Sequence, residues 1–508
     1  MLVKKLFRFK TLQETTLCLI VAIISILPHI WAYLRVPEGY FFIGVNTSVN
    51  LSDVEGVYFA AMHNFSIGDI LYRNPFDPLL KPFFHYPLYL VLGKIVALTS
   101  LPVSLVYNLA AFGLTFIFLI FIFKFIKLFF NDRPRQLLTF ALASFGGLFL
   151  FGSSEGIGLF SFTFPHFIVA QMALFICFYI LIQICSRQVK QKRQLLAFCL
   201  SLIVLGLTHP WMAIPLGATY LTLGAFLIVK RRISKLFIIS FLILIIFSLP
   251  FLLYFGNPAR IPWVSYHLGI PFYSLILLYG LMLPVAILGL LSSLKKSSSL
   301  PLLILAFWLI IQTVFVYLPL PFQRRFVEGL YLPLAIFAVV GVDWLNARLH
   351  LPANRILVYC NAFIYCSIGV ISNYLILFVW LPNQLIYRPI EQKAAVSYLD
   401  KNSKRSEIVL SLPDTGYLIA SFAGLKIFVG HEIQTPDYNN KFEFAENYYT
   451  GKISAEKRKG MLFAKNICFV YVGRNEGKIA NIDFLNEPYL NPFFKNNLVS
   501  IYKTTWCK

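Results

Sequence analysis

The sequence predicts an α-helical polytopic membrane domain of about eleven transmembrane helices, followed by a C-terminal extracytoplasmic α/β domain. The chain is 58% hydrophobic and only 13% charged, and its mean hydropathy is +0.73. Soluble domains are roughly one quarter charged. Apolar runs long enough to cross ~30 Å of hydrocarbon recur as far as residue 380, and the composition becomes more polar after that point.

The formal net charge of +22 indicates membrane topology rather than nucleic-acid binding. Most basic residues before the C-terminal region lie in short loops between apolar runs, where positive charge marks the cytoplasmic side. The basic start, MLVKKLFRFK, precedes an apolar run without a small-x-small cleavage pattern. We therefore expect an uncleaved first span, a cytoplasmic N-terminus and a multi-pass protein of the cell membrane.

The predicted membrane domain covers residues 1–380, and basic loops alternate to one side of its spans. The spans are 17–34, 103–123, 137–151, 167–185, 195–207, 212–229, 236–255, 273–294, 302–317, 329–345 and 356–380. Most of the eight cysteines lie in or beside these runs, and no C-x-x-C spacing occurs, so the sequence predicts no disulfide framework.

A long outer loop, residues 36–85, follows the first span and contains a predicted amphipathic helix along the membrane face. Ser52 and Glu55 have the spacing of a capping box, and apolar residues then repeat at helical spacing. Asp53 and Glu55 lie on the first turn of this helix. Asp53 is a candidate general base or metal ligand. Alternatively, both acids only favour the helix dipole.

Two arginines, Arg324 and Arg325, lie in a predicted outer loop, where the positive-inside rule does not account for them. Their guanidinium groups would bind the phosphate of a lipid-linked donor, with Glu328 one helical turn further on. The alternative is contact with lipid headgroups or with acidic residues of the C-terminal domain.

Histidine and acidic residues at predicted outer positions complete the candidate set. His209, in the break T-H-P-W between two spans, either contacts a ligand or caps a helix, and the cap is the favoured interpretation. Glu155 and His166, on the predicted outer face, could line a site or simply lie at the membrane interface. His85, at the end of the outer loop, and His431, in the C-terminal region, are further residues that could line a site.

Residues 381–508 form the predicted α/β domain, since helical and strand patterns alternate there. The predicted elements are helix 391–399, strand 407–412, helix 417–422, strand 426–429, helices 441–449 and 455–463, and strand 467–472. This region has no glycine-rich phosphate loop, no Ser-His-Asp order and no metal-ligand spacing.

Several segments resemble a known group of proteins. P-E-G-Y-F-F-I-G, D-V-E-G-V-Y-F-A-A-M and H-Y-P-L-Y-L-V-L-G-K-I, together with V-L-S-L-P-D-T-G-Y-L-I-A and G-H-E-I-Q-T-P-D, resemble bacterial multi-pass proteins with GT-C-like membrane domains. The C-terminal segments are also faintly similar to the W-W-D-Y-G region of oligosaccharyltransferase catalytic subunits, although both tryptophans are missing here.

The resemblance implies a glycosyltransferase that uses a polyprenyl-phosphate sugar donor and a glycan, lipid or protein acceptor. The first-loop carboxylate of GT-C enzymes acts as base or metal ligand, which implies this role for Asp53, with Glu55 as a second acid and Mg or Mn as the cofactor if a metal is used. The alternative is a non-enzymatic lipid-linked glycan transporter or assembly protein, or an inactive GT-C relative. Few intramembrane acids and no related halves favour the enzyme.

Overall fold

The computed structural model describes residues 12–45, 51–147, 164–186, 191–257, 271, 273–295, 299–320, 322–348, 361, 364–368, 371, 386–480 and 487–507. The chain divides into two compact units. The first combines Met1–Leu27 with Leu109–Trp380, and the second combines Pro28–Asn108 with Leu381–Lys508. The outer loop and the C-terminal segment therefore belong to one unit. The division into domains 1–380 and 381–508 stays a prediction.

The part of the chain before the C-terminal segment is mostly helical. Its α-helices are α1 (Leu12–Leu34), α2 (Ala60–Ser66), α3 (Pro87–Thr99), α4 (Val103–Ile126), α5 (Arg133–Phe145), α6 (Pro165–Cys185), α7 (Gln191–Thr208), α8 (Ala213–Val229), α9 (Lys235–Phe255), α10 (Ser274–Tyr279), α11 (Met282–Lys295), α12 (Leu300–Tyr317) and α13 (Tyr331–Arg348). Helices α2 and α3 lie in the second unit, and α1 and α4 each run from one unit into the other.

Within the described residues, seven helices are long and apolar enough to cross a membrane. They are Gln13–Leu34, Val103–Ile126, Pro165–Cys185, Pro210–Val229, Lys235–Phe255, Leu300–Tyr317 and Gln323–Arg348. Helices α3 and α11 are apolar but shorter. The chain is a multi-pass membrane protein. The predicted count of about eleven spans is not established, because the predicted spans 137–151, 195–207 and 273–294 are not among these seven helices and most of 356–380 lies outside the described residues.

The predicted span 273–294 is wrong as a single helix. Helix α10 ends at Tyr279, and α11 begins at Met282. Gly280 between them has φ of +46°, a backbone conformation that glycine adopts and an α-helix excludes. Hydropathy alone does not show this break, because the residues on both sides of the glycine are equally apolar.

Helices α11 and α13 pack with their backbones in close approach. A Cβ atom at Gly289 would lie 1.9 Å from the carbonyl oxygen of Phe337, and one at Gly341 would lie 2.1 Å from that of Val285. Small residues allow such approach between membrane helices, where van der Waals packing drives association. The crossing therefore depends on the absence of side chains at these two glycines.

In the second unit, two short strands join the outer loop to the start of the C-terminal segment. Strand β1 (Tyr40–Phe42) pairs antiparallel with β2 (Tyr387–Pro389), and Phe41 lies opposite Arg388. The pairing brings Arg388 to the helix that follows β1 in the outer loop.

A five-stranded sheet forms the centre of the C-terminal segment, with the order β4–β3–β5–β7–β6. The strands are β3 (Ile408–Leu410), β4 (Lys426–Ile427), β5 (Ile467–Val472), β6 (Leu490–Lys495) and β7 (Ser500–Thr504), and the helices are α14 (Ile390–Asn402), α15 (Pro413–Ala423), α16 (Tyr438–Tyr449), α17 (Ala455–Ala464) and α18 (Arg474–Ile479). Strand β3 runs parallel to β4 and β5, whereas β7 is antiparallel to β5 and β6. The hairpin β6–β7 was not predicted, since β6 contains Pro492 and lacks a regular alternation.

A disulfide links Cys468 on β5 to Cys507 after β7. The expectation that the cysteines form no disulfide framework is therefore wrong for this pair. The two cysteines are 39 residues apart, and only the pairing of β5 with β7 brings them together. Sequence spacing carries no sign of such a contact.

The packing of α11 against α13 generates a test. Gly289→Ala should lower the free energy of unfolding by about 1–3 kcal/mol, because the added methyl group must push two backbones apart. Gly113→Ala on α4 is the control, since no atom lies within 4 Å of its added Cβ. Thermal unfolding of the full chain in detergent measures both variants. Equal melting temperatures for the two variants would show that the close approach is not required.

Candidate active site

The helix that carries Asp53 and Glu55 begins as a π-helix, Ser52–Phe59, and continues as α2. Wide π-helical turns occur frequently at functional sites. Leu51, the residue before the π-helix, is itself helical and makes no side-chain capping bond, so Ser52 lies inside the helix rather than at its cap. The predicted capping box of Ser52 and Glu55 is therefore wrong, and the two acids have other partners.

The predicted amphipathic placement of this helix is also not observed. Residues 54–62, 64 and 65 are all buried, so the helix has no continuous exposed polar face. Helix α3 packs closely on it, since a Cβ atom at Gly93 would lie 2.7 Å from both the carbonyl oxygen of Met62 and the Cβ of Phe65. Burial on all sides makes the helix a core element of the second unit.

Asp53 is hydrogen-bonded to His431 at the N-terminal end of this helix. The Oδ1 atom of Asp53 lies 3.0 Å from Nε2 of His431. The Asp53 side chain is 47% exposed, whereas that of His431 is only 6% exposed. The structure therefore joins two predicted site residues that are 378 positions apart, and it leaves the carboxylate accessible to solvent.

Glu55 lies behind Asp53 and has no exposed surface. The guanidinium Nη2 of Arg388 is 3.2 Å from Oε2 of Glu55 and also donates to the backbone oxygen of Asp414 at 3.3 Å. Burial raises the pKa of Glu55 to about 7, while Arg388 acts in the opposite direction. The carboxyl group of Glu55 is therefore not accessible to solvent. Its partner Arg388 was not predicted from the sequence.

The loop that contains His431 is fixed to the outer loop. The Tyr72 hydroxyl donates to Oε1 of Gln434 at 2.8 Å, and the Asn74 side chain donates to the Gln434 backbone oxygen at 2.9 Å. Both contacts are buried. Gln434 was not a sequence candidate, although it lies in the segment G-H-E-I-Q-T-P-D that carried the resemblance.

His85 belongs to the aromatic core of the outer loop. Its ring centroid lies 3.8 Å from that of Tyr86, 5.5 Å from that of Phe83 and 5.9 Å from that of Tyr72. Burial lowers the pKa of His85 to about 3, so the ring is neutral at physiological pH. These contacts support a packing role for His85, and its predicted place at the site stays a prediction.

A second polar cluster lies in the first unit around Glu328, which is fully buried. Its Oε2 is 2.6 Å from Nδ1 of His209, and its Oε1 is 3.6 Å from Nη1 of Arg325. His209 lies at the N-cap position of the short 3₁₀-helix Pro210–Met212, as the favoured interpretation expected, but its ring makes no capping bond there and contacts Glu328 instead of a backbone carbonyl. The His166 ring lies 5.5 Å from the His209 ring, while Glu155 lies outside the described residues.

Gln312 of α12 holds the loop that carries these charges. Its Nε2 atom donates to the backbone oxygens of Phe326 at 2.8 Å and Glu328 at 2.6 Å, and its Oε1 accepts from the indole nitrogen of Trp308. Gln312 was missed from the sequence. A buried amide in a strongly apolar helix is costly unless it is bonded, and this was the signal that could have identified it.

The described residues do not fit a resident metal site with several protein ligands. No three His, Cys, Asp or Glu side chains converge within this part of the chain. Nδ1 of His431 accepts backbone N–H groups, its Nε2 faces Asp53, and Glu55 faces a guanidinium group. The side chain of Asp53, the predicted metal ligand, is 47% exposed.

No family model and no curated protein sequence matches the chain. Solved structures do match it. The apo oligosaccharyltransferase of Archaeoglobus fulgidus matches with a TM-score of 0.62 at 13% identity over 98% of this chain and 75% of that one. ArnT from Cupriavidus metallidurans, bound to undecaprenyl phosphate, gives 0.57 at 12% identity over 97% of each chain.

The chain has a GT-C-like fold. The arabinofuranosyltransferase AftD from Mycobacteria also matches, with a TM-score of 0.52 at 11% identity over 95% of this chain and 41% of that one. One structure of the Archaeoglobus enzyme contains an inhibitory peptide and a dolichol-phosphate, and another contains Zn and sulfate. At these identities the likeness establishes the fold, whereas the reaction has to be argued from the site of this GT-C-like chain.

The buried pair of Glu55 and Arg388 generates a pH test. In Arg388→Met, burial of Glu55 is unopposed, so its folded-state pKa rises further above the unfolded value. A raised folded pKa gives stability that is present at low pH and lost as pH rises through that pKa. The free energy of unfolding of the variant should be closest to that of the wild type near pH 5, and it should be lower than the wild-type value by roughly 3–5 kcal/mol near pH 8.

Thermal unfolding across this pH range measures the effect. The control is the double variant Glu55→Gln with Arg388→Met, which removes both charges and should remove the pH-dependent part of the loss. A loss that does not change with pH in Arg388→Met would contradict the assignment of Glu55 as the titrating group.

Proposed function

We propose that this protein is a membrane glycosyltransferase that moves a sugar from a polyprenyl-phosphate donor to an acceptor on the extracytoplasmic face. The observation that carries the proposal is the half-exposed carboxylate of Asp53, hydrogen-bonded to the buried ring of His431. The GT-C-like fold supports it, because neighbours with this fold were solved with undecaprenyl phosphate or dolichol-phosphate.

Asp53 acts as the general base in this reaction. Its carboxylate takes the proton of the acceptor hydroxyl, whose oxygen forms a bond to the anomeric carbon of the sugar. The bond between that carbon and the phosphate oxygen breaks, and its electron pair stays on the phosphate, which gains one negative charge. A base positioned in this way typically contributes a rate factor of about 10²–10⁴.

Arg324 and Arg325 are the residues that we propose for binding the phosphate of the lipid donor. The Arg325 side chain is 29% exposed, so its guanidinium group is partly accessible while Glu328 lies 3.6 Å from it. His209 contacts the same carboxylate, and the His166 ring lies close to His209. Two groups able to carry positive charge, Arg325 and His209, thus share one described carboxylate, which favours an anionic ligand.

The disulfide between Cys468 and Cys507 supports an extracytoplasmic C-terminal segment. Disulfides persist in oxidising compartments and are rare in the cytosol. Together with the basic N-terminus, it is consistent with a cytoplasmic start and an acceptor that arrives from outside. The partners of the protein are then the lipid bilayer, the lipid-linked donor and a glycan, lipid or protein acceptor, with no nucleic acid. A divalent cation, if one takes part, would contact Asp53.

Replacement of Asp53 tests its proposed role as the general base. Asp53→Asn keeps the size of the side chain but cannot accept the proton, so turnover should fall about 10²–10⁴-fold. The measurement is the release of undecaprenyl phosphate from a panel of undecaprenyl-phosphate sugars by the full chain in nanodiscs, with water or added glycan as acceptor. Asp77→Asn is the control, because Asp77 lies in the same outer loop and its Oδ1 accepts a hydrogen bond from the backbone N–H of Leu79, which an asparagine oxygen can also accept.

A wild-type rate in Asp53→Asn would remove Asp53 from the mechanism. Absence of release by the wild type across the panel, with undecaprenyl phosphate still bound, would favour the non-enzymatic transporter or the inactive relative.

Replacement of Arg325 tests phosphate binding. Arg325→Gln should weaken the binding of radiolabelled undecaprenyl phosphate by about ten- to a hundredfold, because a charge-assisted hydrogen bond contributes roughly 1.5–3 kcal/mol. Arg73→Gln is the matched control, since Arg73 is an exposed arginine paired with Asp69. Unchanged binding in both Arg325→Gln and Arg324→Gln would exclude the arginine pair as the phosphate site.

A further inference from the structure

The hydrogen bonds of His431 determine which of its ring nitrogens carries the proton. The backbone N–H of Ile433 donates to Nδ1 at 3.2 Å, and that of Gln434 lies 3.4 Å from the same atom. A nitrogen that accepts N–H groups has no proton of its own, so the proton of the neutral ring is on Nε2. Nε2 therefore donates to Oδ1 of Asp53.

This arrangement excludes His431 as the proton acceptor of the reaction. The lone pair of Nδ1 is directed at backbone amides, and Nε2 already holds its proton against the carboxylate. A ring with 6% exposure also has little contact with an incoming substrate. What His431 can do is hold Oδ1 of Asp53 in one place, so that the half-exposed carboxylate meets the acceptor hydroxyl in a constant orientation.

The surroundings of His431 prevent the ring from turning away. Gln434 is bonded through its side chain to Tyr72 and through its backbone to Asn74. A Cβ atom at Gly430 would lie 2.3 Å from the ring of Phe76, so the chain next to His431 packs tightly on the outer loop. Tyr72, Asn74 and Phe76 follow the Asp53 helix in sequence and thus fix the histidine loop against it.

We propose that His431 is a positioning residue for Asp53, a donor of fixed tautomer that the loop from Gly430 to Gln434 and the hydroxyl of Tyr72 hold in place. The inference rests on the proposed function, in which Asp53 is the general base. It makes the C-terminal segment a direct part of the active site, because it supplies the group that orients the base.

The test compares two replacements of the histidine in the full chain in nanodiscs. His431→Leu removes the donor, and the release of undecaprenyl phosphate from undecaprenyl-phosphate sugars should fall at least tenfold in turnover. Binding of undecaprenyl phosphate itself should stay unchanged. His431→Gln restores an N–H donor at a similar distance from the backbone, and it should recover most of the lost turnover. A purely structural role would not be rescued by this donor.

A second variant avoids any change to the histidine itself. Tyr72→Phe removes the bond to Gln434 while it keeps the aromatic ring, so turnover should fall about two- to fivefold, and the melting temperature should fall only slightly because one hydrogen bond is lost from a large chain. Asp53→Asn, assayed in parallel, separates the two hypotheses. An active Asp53→Asn contradicts the proposed function.

An inactive Asp53→Asn combined with full activity in both His431→Leu and Tyr72→Phe overturns only the positioning role. Equal losses of turnover in His431→Leu and His431→Gln, accompanied by lower melting temperatures, also overturn it.

Discussion

The second unit depends on the burial of a charged pair, Glu55 and Arg388. A carboxyl group with no exposed surface is costly without a partner, and the guanidinium group at 3.2 Å supplies one. Arg388 lies on β2, whose pairing with β1 brings the C-terminal segment to the helix of the outer loop. Two regions that are 333 positions apart in the chain are therefore joined by a contact that neither can lose without leaving a buried charge unpaired.

The buried pair also explains why Asp53 and Glu55, two acids separated by one residue, have different environments. Glu55 faces Arg388 inside the unit, and burial raises its pKa to about 7. Asp53 faces His431 and remains 47% exposed. Placing neighbouring carboxyl groups in contrasting surroundings is a common way to give them separate roles. Here the inner acid joins the helix to the C-terminal segment, and the outer acid is exposed to solvent.

In the first unit, too, a buried carboxylate is paired with groups that can carry positive charge, here among apolar helices. Glu328 is fully buried, and two possible cations contact its carboxylate oxygens. The side chain of Gln312 donates hydrogen bonds to two backbone oxygens of the adjoining loop. Polar groups within a membrane protein are retained where they pair with one another, and such clusters often coincide with function. The arginine that we assign to phosphate therefore lies beside a carboxylate that can hold it in place.

The sequence by itself determined the membrane class, seven of the spans, strand β5 and the candidates Asp53, His209, Arg325, Glu328 and His431, because apolar length, alternation and isolated charge are local properties. The partners of these residues came only from the tertiary structure. Arg388 and Gln434 carry no local signal that distinguishes them from other polar residues, and the position of Gln312 in an apolar helix does not show which groups it bonds. The helix break at Gly280 could not be predicted from the sequence, because it depends on a backbone dihedral angle. The disulfide of Cys468 could not be predicted either, because it depends on which strands pair. The sequence predicted a capping box for Glu55, whereas in the structure Glu55 forms an ion pair with Arg388. Only the tertiary structure could decide this, since the free energy of a buried charge depends on the groups that surround it in space.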